Sequence, residues 1–390
     1  MNPREPLAGR IVFRMHCTPD YRIGLYTTLL NQGVRFSVVS GASSFSGTIA
    51  DAINGQPWAV RKKNVFLLGR RLLWLEGWAN EVKSGDVAIL TWNPRIISFW
   101  RDLIICRAKR VPVLLWGHAW GRGGPGGVAC RFRHWFARRA RGVICYTESQ
   151  LEFTKRMNPG LAAVAAPNAC LFRADCGVSG EEATRDAIIY VGRLVVRKKV
   201  DLLLEGFAAA RAQNPDFHAR LVIVGDGPER SNLAERAKAL QVAENVSWLG
   251  HQTGIAVLRA AYGRAFVSVS PGYAGLSLTQ SFALGVPALI ARDEPHSPEI
   301  EAAQEGVNAH FFRSNDARDL ACKLLRAWQD WRGIEQKRRE LAAWTGETYS
   351  FEKMAERVVE LADFVRGLGT SNRRSSMPTS GPAIPAPRER

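Results

Sequence analysis

The chain of 390 residues carries 53 Lys or Arg against 36 Asp or Glu, a formal net charge of +17 at pH 7, and 46% of its residues are hydrophobic. This length and composition are typical of a globular protein with two domains of ordinary size. No apolar run reaches the ~20 residues that a spanning helix needs, so we expect no helix to cross a membrane.

The positive charge is concentrated in the first half of the chain. Residues 1–175 hold 25 Lys or Arg against 10 Asp or Glu, a net of +15, whereas residues 176–365 hold 23 against 25, a net of −2. Residues 366–390 hold 5 against 1 and add a net of +4. A one-sided basic domain predicts a polyanionic partner, which could be nucleic acid, an acidic substrate or an anionic membrane.

The seven cysteines are scattered and form neither a C-x-x-C pair nor a zinc-binding spacing. This usage predicts reduced thiols in the cytosol. The chain starts with MNPREPLAGR, which is polar and does not resemble a signal peptide. We therefore expect a cytoplasmic protein that would meet a membrane only from its inner face.

Short apolar runs alternate with helical periodicity along the chain. In the first half they predict strands at 11–15, 35–40, 87–91, 111–116 and 143–146, and helices at 23–31, 96–108 and 128–140. In the second half they predict strands at 188–191, 221–224, 246–249, 266–270 and 287–290, and helices at 201–213, 229–240, 254–262, 277–284 and 317–331. Strands rich in Val, Ile and Leu that alternate with helices predict parallel sheets covered on both faces.

Two such series in one chain predict an α/β fold with two doubly wound, Rossmann-like domains that face each other across a ligand-binding cleft. We expect the first domain over residues 1–175 and the second over 176–350, joined by a polar hinge at 171–185. After a predicted turn at 345–350, a helix over 351–367 is expected to cross back to the first domain. The remaining residues, 368–390, are rich in Ser, Pro and Arg and are expected to be disordered.

The stretch YVGRLVVRKKVDLLL, residues 190–204, places two cations in a strand-to-helix turn. Arg193 follows a glycine after the strand, and Lys198 precedes a helix expected to begin at Asp201. Such a turn offers free backbone N–H groups and the positive end of a helix dipole. It predicts a polyphosphate site, although a basic turn that merely faces water would have the same sequence.

A second turn lies in LVIVGDGPER, residues 221–230, where Gly225 ends a strand and Pro228 suits the first position of a helix. We interpret Asp226 as part of the turn structure. We predict that Gly225 also lies in the ligand site formed with Arg193 and Lys198.

The third turn lies in SPGYAGLSLTQSFALGVP, residues 270–287. Gly272 and Gly275 let the backbone approach a ligand closely, and N–H groups at the helix start, Leu276 and Ser277, can bind phosphate or sugar hydroxyls. Gln280 is predicted on the first turn of the same helix, within reach of that ligand. A glycine-rich connection with a solvated Gln280 is the structural alternative.

The order G-R-L-x-x-x-K, V-G-D-G-P-E-R, W-L-G (248–250) and S-P-G-x-x-G-L…A-x-G-x-P resembles the second domain of retaining glycosyltransferases of the large family 4, which have the GT-B fold. The resemblance covers residues 187–315 well and the first half more loosely. It implies that Arg193 and Lys198 grip the diphosphate of a nucleotide-sugar donor and stabilise the leaving nucleotide. It also implies chemistry without a metal ion or a cofactor, since the nucleotide sugar is a substrate.

The chain departs from the family pattern at two positions. Where the family has two Glu separated by seven residues, this chain has Gly272 and Gln280. The amide of Gln280 can still bind ribose hydroxyls, whereas Gly272 leaves the donor sugar to backbone N–H groups or to another residue. The departure leaves open a degenerate, inactive member of the family.

The first half has its own candidate residues. His118 follows a buried strand in VLLWGHAWGRGGPG, at the position where α/β sheets bind ligands, and related transferases have a His in this loop close to the donor sugar. We predict that it binds sugar hydroxyls or orients the acceptor. Asp20 and Arg22, in the first strand-to-helix turn, are candidates for acceptor or phosphate contacts, with solvent exposure as the alternative.

The segment CRFRHWFARRAR, residues 130–141, predicts a helix with Phe132, Trp135 and Phe136 on one side and arginines around them. One interpretation is a helix packed on the sheet with a solvated basic edge. The other is contact with an anionic membrane surface, with aromatic and Arg side chains at the level of the lipid headgroups.

Together with these observations, the resemblance implies a metal-independent retaining glycosyltransferase that moves a sugar from a nucleotide-sugar donor to a lipid-linked saccharide acceptor. We expect it to act in polysaccharide or glycolipid synthesis at the inner face of the membrane. Another GT-B activity, sugar-phosphate synthesis or epimerisation, is the alternative. A nucleic-acid-binding protein is less favoured, because no recognised nucleic-acid-binding module accompanies the charge.

Overall fold

The computed structural model describes residues 9–45, 51–121, 124–179, 185–331 and 334–367. This part of the chain forms two compact units, and the boundary between them lies between Ala169 and Cys170, a few residues before the predicted one. Of the described residues, unit 1 comprises those up to Ala169 and those from Phe351 to Gly367, and unit 2 comprises those from Cys170 to Ser350. The predicted disordered segment, 368–390, lies outside the described residues.

Unit 1 is built on a parallel sheet whose strands are almost wholly apolar. The strands of unit 1 are β1 (Ile11–Met15), β2 (Phe36–Ser40), β3 (Ala59–Arg61), β4 (Asn64–Leu67), β5 (Leu72–Leu75), β6 (Val87–Thr91), β7 (Val113–Trp116), β8 (Gly142–Cys145) and β9 (Ala162–Ala165). Seven of them pair in the order β3-β2-β1-β6-β7-β8-β9, all parallel, and β4 and β5 form a separate antiparallel pair. Every residue of β1, β7 and β8 is buried, as expected of strands covered on both faces.

Helices follow the strands of unit 1 along the chain. They are α1 (Ile23–Asn31), α2 (Phe99–Ala108), α3 (Val128–Ala137) and α4 (Glu148–Met157). Thr147 caps α4, since its side chain accepts a hydrogen bond from the Gln150 N–H group. The core of this unit includes Val12, Leu90, Leu115 and Val143 from its central strands.

Unit 2 repeats the same plan with six strands. They are β10 (Ala187–Val191), β11 (Arg220–Val224), β12 (Val246–Gly250), β13 (Ala265–Ser270), β14 (Ala288–Ala291) and β15 (Ala309–Phe312). Its helices are α5 (Val200–Gln213), α6 (Arg230–Ala239), α7 (Ile255–Gly263), α8 (Leu276–Ala283), α9 (Ala317–Asp330) and α10 (Glu335–Tyr349). The strands pair in parallel in the order β12-β11-β10-β13-β14-β15.

Numbered within the unit, this order is 3-2-1-4-5-6, which is the Rossmann order. Successive strands are added on one side of β10 up to β12 and on the other side from β13 onward, so the strand order reverses between the neighbours β10 and β13. In open α/β sheets, ligands bind beyond the carboxyl ends of the strands at this reversal. The fold thus points to the loops that follow β10 and β13.

The last described helix, α11 (Phe351–Gly367), belongs to unit 1. Phe351, Met354, Val358 and Leu361 recur at helical spacing, are buried, and face a unit 1 surface formed by α1, β8 and β9. The turn predicted at 345–350 is wrong, because α10 continues to Tyr349 and only Ser350 separates the two helices.

Candidate functional site

The loop that follows β10, residues 192–199, is called the cation turn below. Arg193 has an exposed side chain, and its carbonyl accepts a hydrogen bond from the Tyr190 hydroxyl at 3.1 Å. Lys198 is partly buried, and its Nζ donates to the carbonyl of Tyr273 at 2.7 Å. The cation turn therefore contacts the loop after β13 directly, at the reversal of the sheet.

The turn after β11 packs against the backbone of the cation turn. A Cβ atom on Gly225 would lie 1.9 Å from the carbonyl oxygen of Gly192, so no side chain fits there. The Leu194 N–H group donates to the Asp226 carbonyl at 2.9 Å. The structure thus gives Gly225 a packing role beside Arg193, and its contact with a donor stays a prediction.

The loop after β13, residues 271–275, is called the glycine turn below. A Cβ atom on Gly272 would lie 2.5 Å from the Arg197 carbonyl oxygen and 2.9 Å from the Lys198 carbonyl carbon. The same contact is continued by the Tyr273 N–H group, which donates to the Arg197 carbonyl at 3.3 Å. Position 272 cannot carry a glutamate in this arrangement, because backbone atoms of the cation turn occupy the space.

Helix α8 begins at Leu276, one residue earlier than predicted, and Gly275 is its N-cap residue. Glycine has no side-chain oxygen to cap the helix, so it accepts no side-chain hydrogen bond from the N–H groups at the start of α8, such as those of Leu276 and Ser277. These groups and the positive end of the helix dipole can receive an anion or a hydroxyl oxygen.

Gln280 is the fifth residue of α8 and therefore lies on its second turn, not on the first as predicted. Its Oε1 accepts a hydrogen bond from the buried Tyr262 hydroxyl at 3.5 Å. This bond holds the amide at its half-buried position, and a contact between Gln280 and ribose stays a prediction.

Sequence reasoning missed the loop after β14, which packs behind the glycine turn. His296 Nδ1 accepts a hydrogen bond from the Ala274 N–H group at 3.0 Å, and its Nε2 donates to the Ala291 carbonyl at 2.7 Å. These partners fix the neutral tautomer with the proton on Nε2. Glu299, buried in the same loop, accepts from the Ser297 hydroxyl.

The charges of these loops act on one another. Burial, together with the neighbouring Arg197 and Arg193, lowers the pKa of Lys198 to about 8, and Glu299 opposes this shift. A bound anion would offset the repulsion among the three cations. The cation turn therefore holds like charges whose mutual repulsion is unfavourable, and a bound polyphosphate can offset that repulsion.

The residue between Lys198 and α5, Lys199, has a left-handed backbone conformation with φ of 50°. A conformation of this kind costs a non-glycine residue about 1 kcal/mol or more. Lys199 Nζ is held by Glu294 Oε1 at 2.5 Å and by Asn315 Oδ1 at 2.7 Å. These bonds tie the turn to the loops that carry Glu294 and Asn315 and give the Lys199 ammonium group its partners.

In unit 1, Arg22 is buried where several strands of the sheet end. Its Nη2 donates to Asn168 Oδ1 at 2.9 Å and to the Tyr146 hydroxyl at 3.1 Å, and its guanidinium lies 4.2 Å from the centre of the Trp116 ring. Within the described residues no carboxylate pairs with it. Arg22 therefore brings an unbalanced positive charge to the carboxyl edge of this sheet.

His118 lies at the same edge, with its ring exposed and 4.7 Å from the Tyr146 ring. The surrounding protein lowers its pKa, and the guanidinium groups of Arg133 and Arg22 act in the same direction. The lowered pKa favours the neutral imidazole at neutral pH. Arg22, His118 and Tyr146 form one group.

Asp20, by contrast, is exposed and accepts a hydrogen bond at 2.8 Å from the next residue's N–H group, so it serves the local turn.

Phe136 was predicted on the same side of its helix as Trp135, and this prediction is wrong. Phe136 is buried against Phe99 with ring centres 3.8 Å apart, while Phe132 and Trp135 are exposed.

Among the described residues, no group of three or more His, Cys, Asp or Glu is arranged to hold a metal ion. A search of the same residues finds no helix with both the length and the apolar character that a membrane crossing requires.

Residues 185–330 match the family model for Glycosyl transferases group 1. The matched span is less than half of the chain and lies within unit 2, where it includes the cation turn and the glycine turn. An exopolysaccharide phosphotransferase of Streptomyces coelicolor is 33% identical over 181 residues, 44% of this chain and 17% of the relative.

A GDP-mannose-dependent alpha-(1-6)-phosphatidylinositol dimannoside mannosyltransferase of Mycobacterium tuberculosis is 29% identical over 164 residues, 41% of each chain. The N-acetyl-alpha-D-glucosaminyl L-malate synthase of Bacillus anthracis is 25% identical over 161 residues, 41% of this chain and 42% of the relative. This chain thus spans less than half the length of these curated relatives.

Solved structures extend the likeness to both units. The Anabaena protein HepE, crystallised with UDP, superposes with a TM-score of 0.66 at 14% identity over 91% of this chain and all of that one. The lipopolysaccharide outer core galactosyltransferase WaaB superposes with a TM-score of 0.65 at 14% identity, over 91% and 99% of the two chains. These neighbours confirm the predicted GT-B fold, with its two Rossmann-like domains.

Proposed function

We propose that this protein is a glycosyltransferase that transfers a sugar from a nucleotide-sugar donor to a saccharide acceptor. The observation that carries the proposal is the cation turn, with Arg193 and Lys198, at the sheet reversal of a unit that matches the Glycosyl transferases group 1 model. HepE was crystallised with UDP and the M. tuberculosis relative is named for GDP-mannose, which supports a nucleotide-linked donor.

In this proposal the diphosphate of the donor lies against the cation turn. The planar guanidinium of Arg193 suits two phosphate oxygens at once, and the Lys198 ammonium acts as a point charge. As the glycosidic bond breaks, negative charge grows on the leaving nucleotide, and these two cations stabilise it. We propose a metal-independent reaction because the turn itself supplies the charge that the leaving group needs.

We further propose retention of configuration, as the resemblance to family 4 implies. The donor sugar would be held by the backbone N–H groups of Leu276 and Ser277 at the start of α8, since Gly272 has no side chain. A hydroxyl oxygen of the sugar can accept from such groups. Glu299 is a second candidate, because its carboxylate lies within electrostatic range of Lys198.

The acceptor is proposed to be a lipid-linked saccharide at the cytoplasmic face of a membrane. The net charge of +15 over residues 1–175 supports an anionic partner for unit 1. Arg22 and His118, at the carboxyl edge of the unit 1 sheet, suit a phosphate and a sugar hydroxyl of such an acceptor.

The test is loss of transfer without loss of fold. Arg193→Ala combined with Lys198→Ala is expected to lower kcat/KM by at least about 100-fold, as loss of charge stabilisation in a transition state does. Arg220→Ala is the matched control, because Arg220 is exposed at the amino end of β11, away from the cation turn. Retained turnover in the double variant, with an unchanged melting temperature, would overturn the proposal.

Nucleotide binding gives a second readout that needs no known acceptor. A thermal-shift screen of UDP, GDP and their sugars is expected to show stabilisation of about 2.7 kcal/mol for a ligand at 100 times its Kd. The double variant should lose this shift. The Arg220→Ala control should keep it, and the absence of any shift in the unaltered protein would favour the inactive alternative.

Sugar-phosphate synthesis on the same fold is the second candidate function. A sucrose-phosphate synthase of Thermosynechococcus elongatus superposes with a TM-score of 0.62 at 16% identity, over 92% and 100% of the two chains. Transfer to a soluble sugar phosphate, but not to a lipid-linked saccharide, would favour this candidate. Both reactions depend on the same two cations.

A further inference from the structure

Helices α2 and α3 of unit 1 present large apolar side chains to solvent. These side chains, called the aromatic patch below, are Trp100, Ile104, Val128, Phe132 and Trp135. They are 39–72% exposed, and they include every exposed Trp and Phe among the described residues. Clustered exposure of this kind marks an interaction surface rather than ordinary surface composition.

The patch is continuous across the two helices. The Trp100 and Trp135 rings have centres 5.9 Å apart, and Phe132 stacks on Trp135 at 5.5 Å. Ile104 follows Trp100 by one helical turn, and Val128 precedes Phe132 by one turn, so both extend the same faces. The rings are ordered against one another while their outer faces remain free for a partner.

The surroundings of the patch are strongly cationic. From residue 103 to residue 147 the sequence contains nine Lys or Arg and no Asp or Glu. Arg107 and Arg131 are exposed on the two helices that carry the patch, and Arg139 lies over the Trp135 ring at 3.6 Å. The acidic residue of α2, Asp102, is buried in ion pairs with Arg14 and Arg101.

We propose that the aromatic patch docks unit 1 on the surface of an anionic lipid bilayer. Trp side chains are favoured at the level of the headgroups because the indole combines an apolar body with a polar N–H group. Phe side chains add apolar area that is buried at the boundary between headgroups and acyl chains. Arginines beside them attract anionic lipids, and each strengthens binding by about fivefold. The apolar rings match the acyl-chain boundary of such a bilayer, and the arginines around them match its anionic headgroups.

Charge favours a bilayer over a second copy of the chain. If two copies met through this patch, arginines would face arginines, since neither α2 nor α3 offers an exposed carboxylate to pair with them. Membrane docking would bring the protein to the lipid-linked acceptor of the proposed function, and its biological role rests on that function. Vesicle binding itself requires neither donor nor acceptor.

The experiment measures co-sedimentation of the full-length protein with phosphatidylcholine vesicles that contain or lack phosphatidylglycerol. We expect binding to the anionic vesicles only, and weaker binding as salt is raised. Arg107→Gln with Arg131→Gln should weaken it about 30-fold, from two lost arginine contacts. Ile104→Ser with Phe132→Ser should weaken it at least about tenfold, from lost apolar burial.

The matched control is Val257→Ser with Arg220→Gln, which changes an exposed apolar residue and an exposed arginine of unit 2. It should bind vesicles as the unaltered protein does. Melting curves and the nucleotide thermal shift are recorded for every variant, so a folded protein that binds nucleotide but not vesicles separates failure of this inference from failure of the proposed function.

Three results would overturn the inference. One is equal vesicle binding by the patch variants and the unaltered protein. Another is a dimer, seen by light scattering, that the patch variants convert to monomer, which would make the patch a contact between chains. The third is tight oligonucleotide binding, lost in the same variants, without binding to anionic vesicles, which would make it a nucleic-acid surface.

Discussion

The ammonium group of Lys198 lies beside two arginines and is partly buried, which lowers its pKa to about 8. A bound diphosphate favours the charged ammonium and raises that pKa. Above pH 8 the free protein must therefore take up a proton to bind. We expect nucleotide affinity to be constant below pH 8 and to fall by up to about tenfold per pH unit above it, measured by calorimetry from pH 6.5 to 9.5.

Lys198→Arg is the control for this pH dependence. Arginine remains charged throughout the range, so the fall in affinity above pH 8 should disappear even if binding is weaker overall. A parallel decline in the variant and the unaltered protein would show that another group titrates, and would contradict the assignment to Lys198.

His296 offers a second prediction at this scale, since it holds the glycine turn from behind. His296→Phe removes the acceptor of the buried Ala274 N–H group, and an unpaired buried donor costs about 1–3 kcal/mol. We expect donor KM to rise about 5- to 30-fold with a smaller change in kcat. His218→Phe, at an exposed histidine of unit 2, should leave both unchanged. An unchanged KM in His296→Phe would contradict the positioning role.

The sequence located the two cations, because a motif in one continuous turn carries them. It could not explain Gly272, since the atoms that exclude a side chain there belong to Arg197 and Lys198, over seventy residues earlier. His296 was missed for the same reason, because only the fold brings it to Ala274. Residues joined by tertiary contacts leave no local pattern.

At the scale of elements, helix α10 is tied to unit 2 by a buried arginine. Arg338 is 1% exposed and donates to the carbonyls of Trp331, Phe266 and Gly285. Its carboxylate neighbour, Glu335, also forms a two-pronged ion pair with Arg185, at 2.9 and 3.0 Å. The Arg338 guanidinium thus joins α10 to the start of β13 and to the turn that follows α8.

We expect Arg338→Ala to destabilise unit 2 by about 3 kcal/mol or more, because several buried carbonyls lose their donor and a cavity remains. Lys337→Ala, at an exposed position of the same helix, should change the free energy of unfolding by less than about 0.5 kcal/mol. Urea denaturation measures both. Equal, small changes would show that α10 is held by its apolar contacts alone.

The central elements were predictable because their pattern is strong. β1 and β6 have the predicted bounds, since continuous apolar runs mark buried strands, and helix α1 also has the predicted bounds. β9, with the sequence AAVA, was missed because alanine is not typical of strands. α10 was missed because its polar sequence shows little amphipathic pattern and ends in the Gly-containing TGETY.

At the scale of the whole molecule, both units follow one plan, with a parallel sheet in which the strand order runs 3-2-1-4 and onward. Each has a core of its own, which includes Leu115 and Val143 in one unit and Ile188 and Leu221 in the other. The residues proposed for the donor all belong to unit 2. Within the described residues, the chain returns to unit 1 through α11.

This division predicts that a heating scan contains separate contributions from the two units. Leu361, in α11, is fully buried, and Leu361→Asp places a carboxylate in the core of unit 1. The substitution should reduce the free energy of unfolding of unit 1 by several kcal/mol and lower its transition temperature. The stabilisation of unit 2 by a nucleotide, about 2.7 kcal/mol at 100 times Kd, should be unchanged. Glu356→Ala, exposed on the same helix, is the control. If substitution and nucleotide instead shift a single common transition, the units unfold together and the independence argued from their separate cores is wrong.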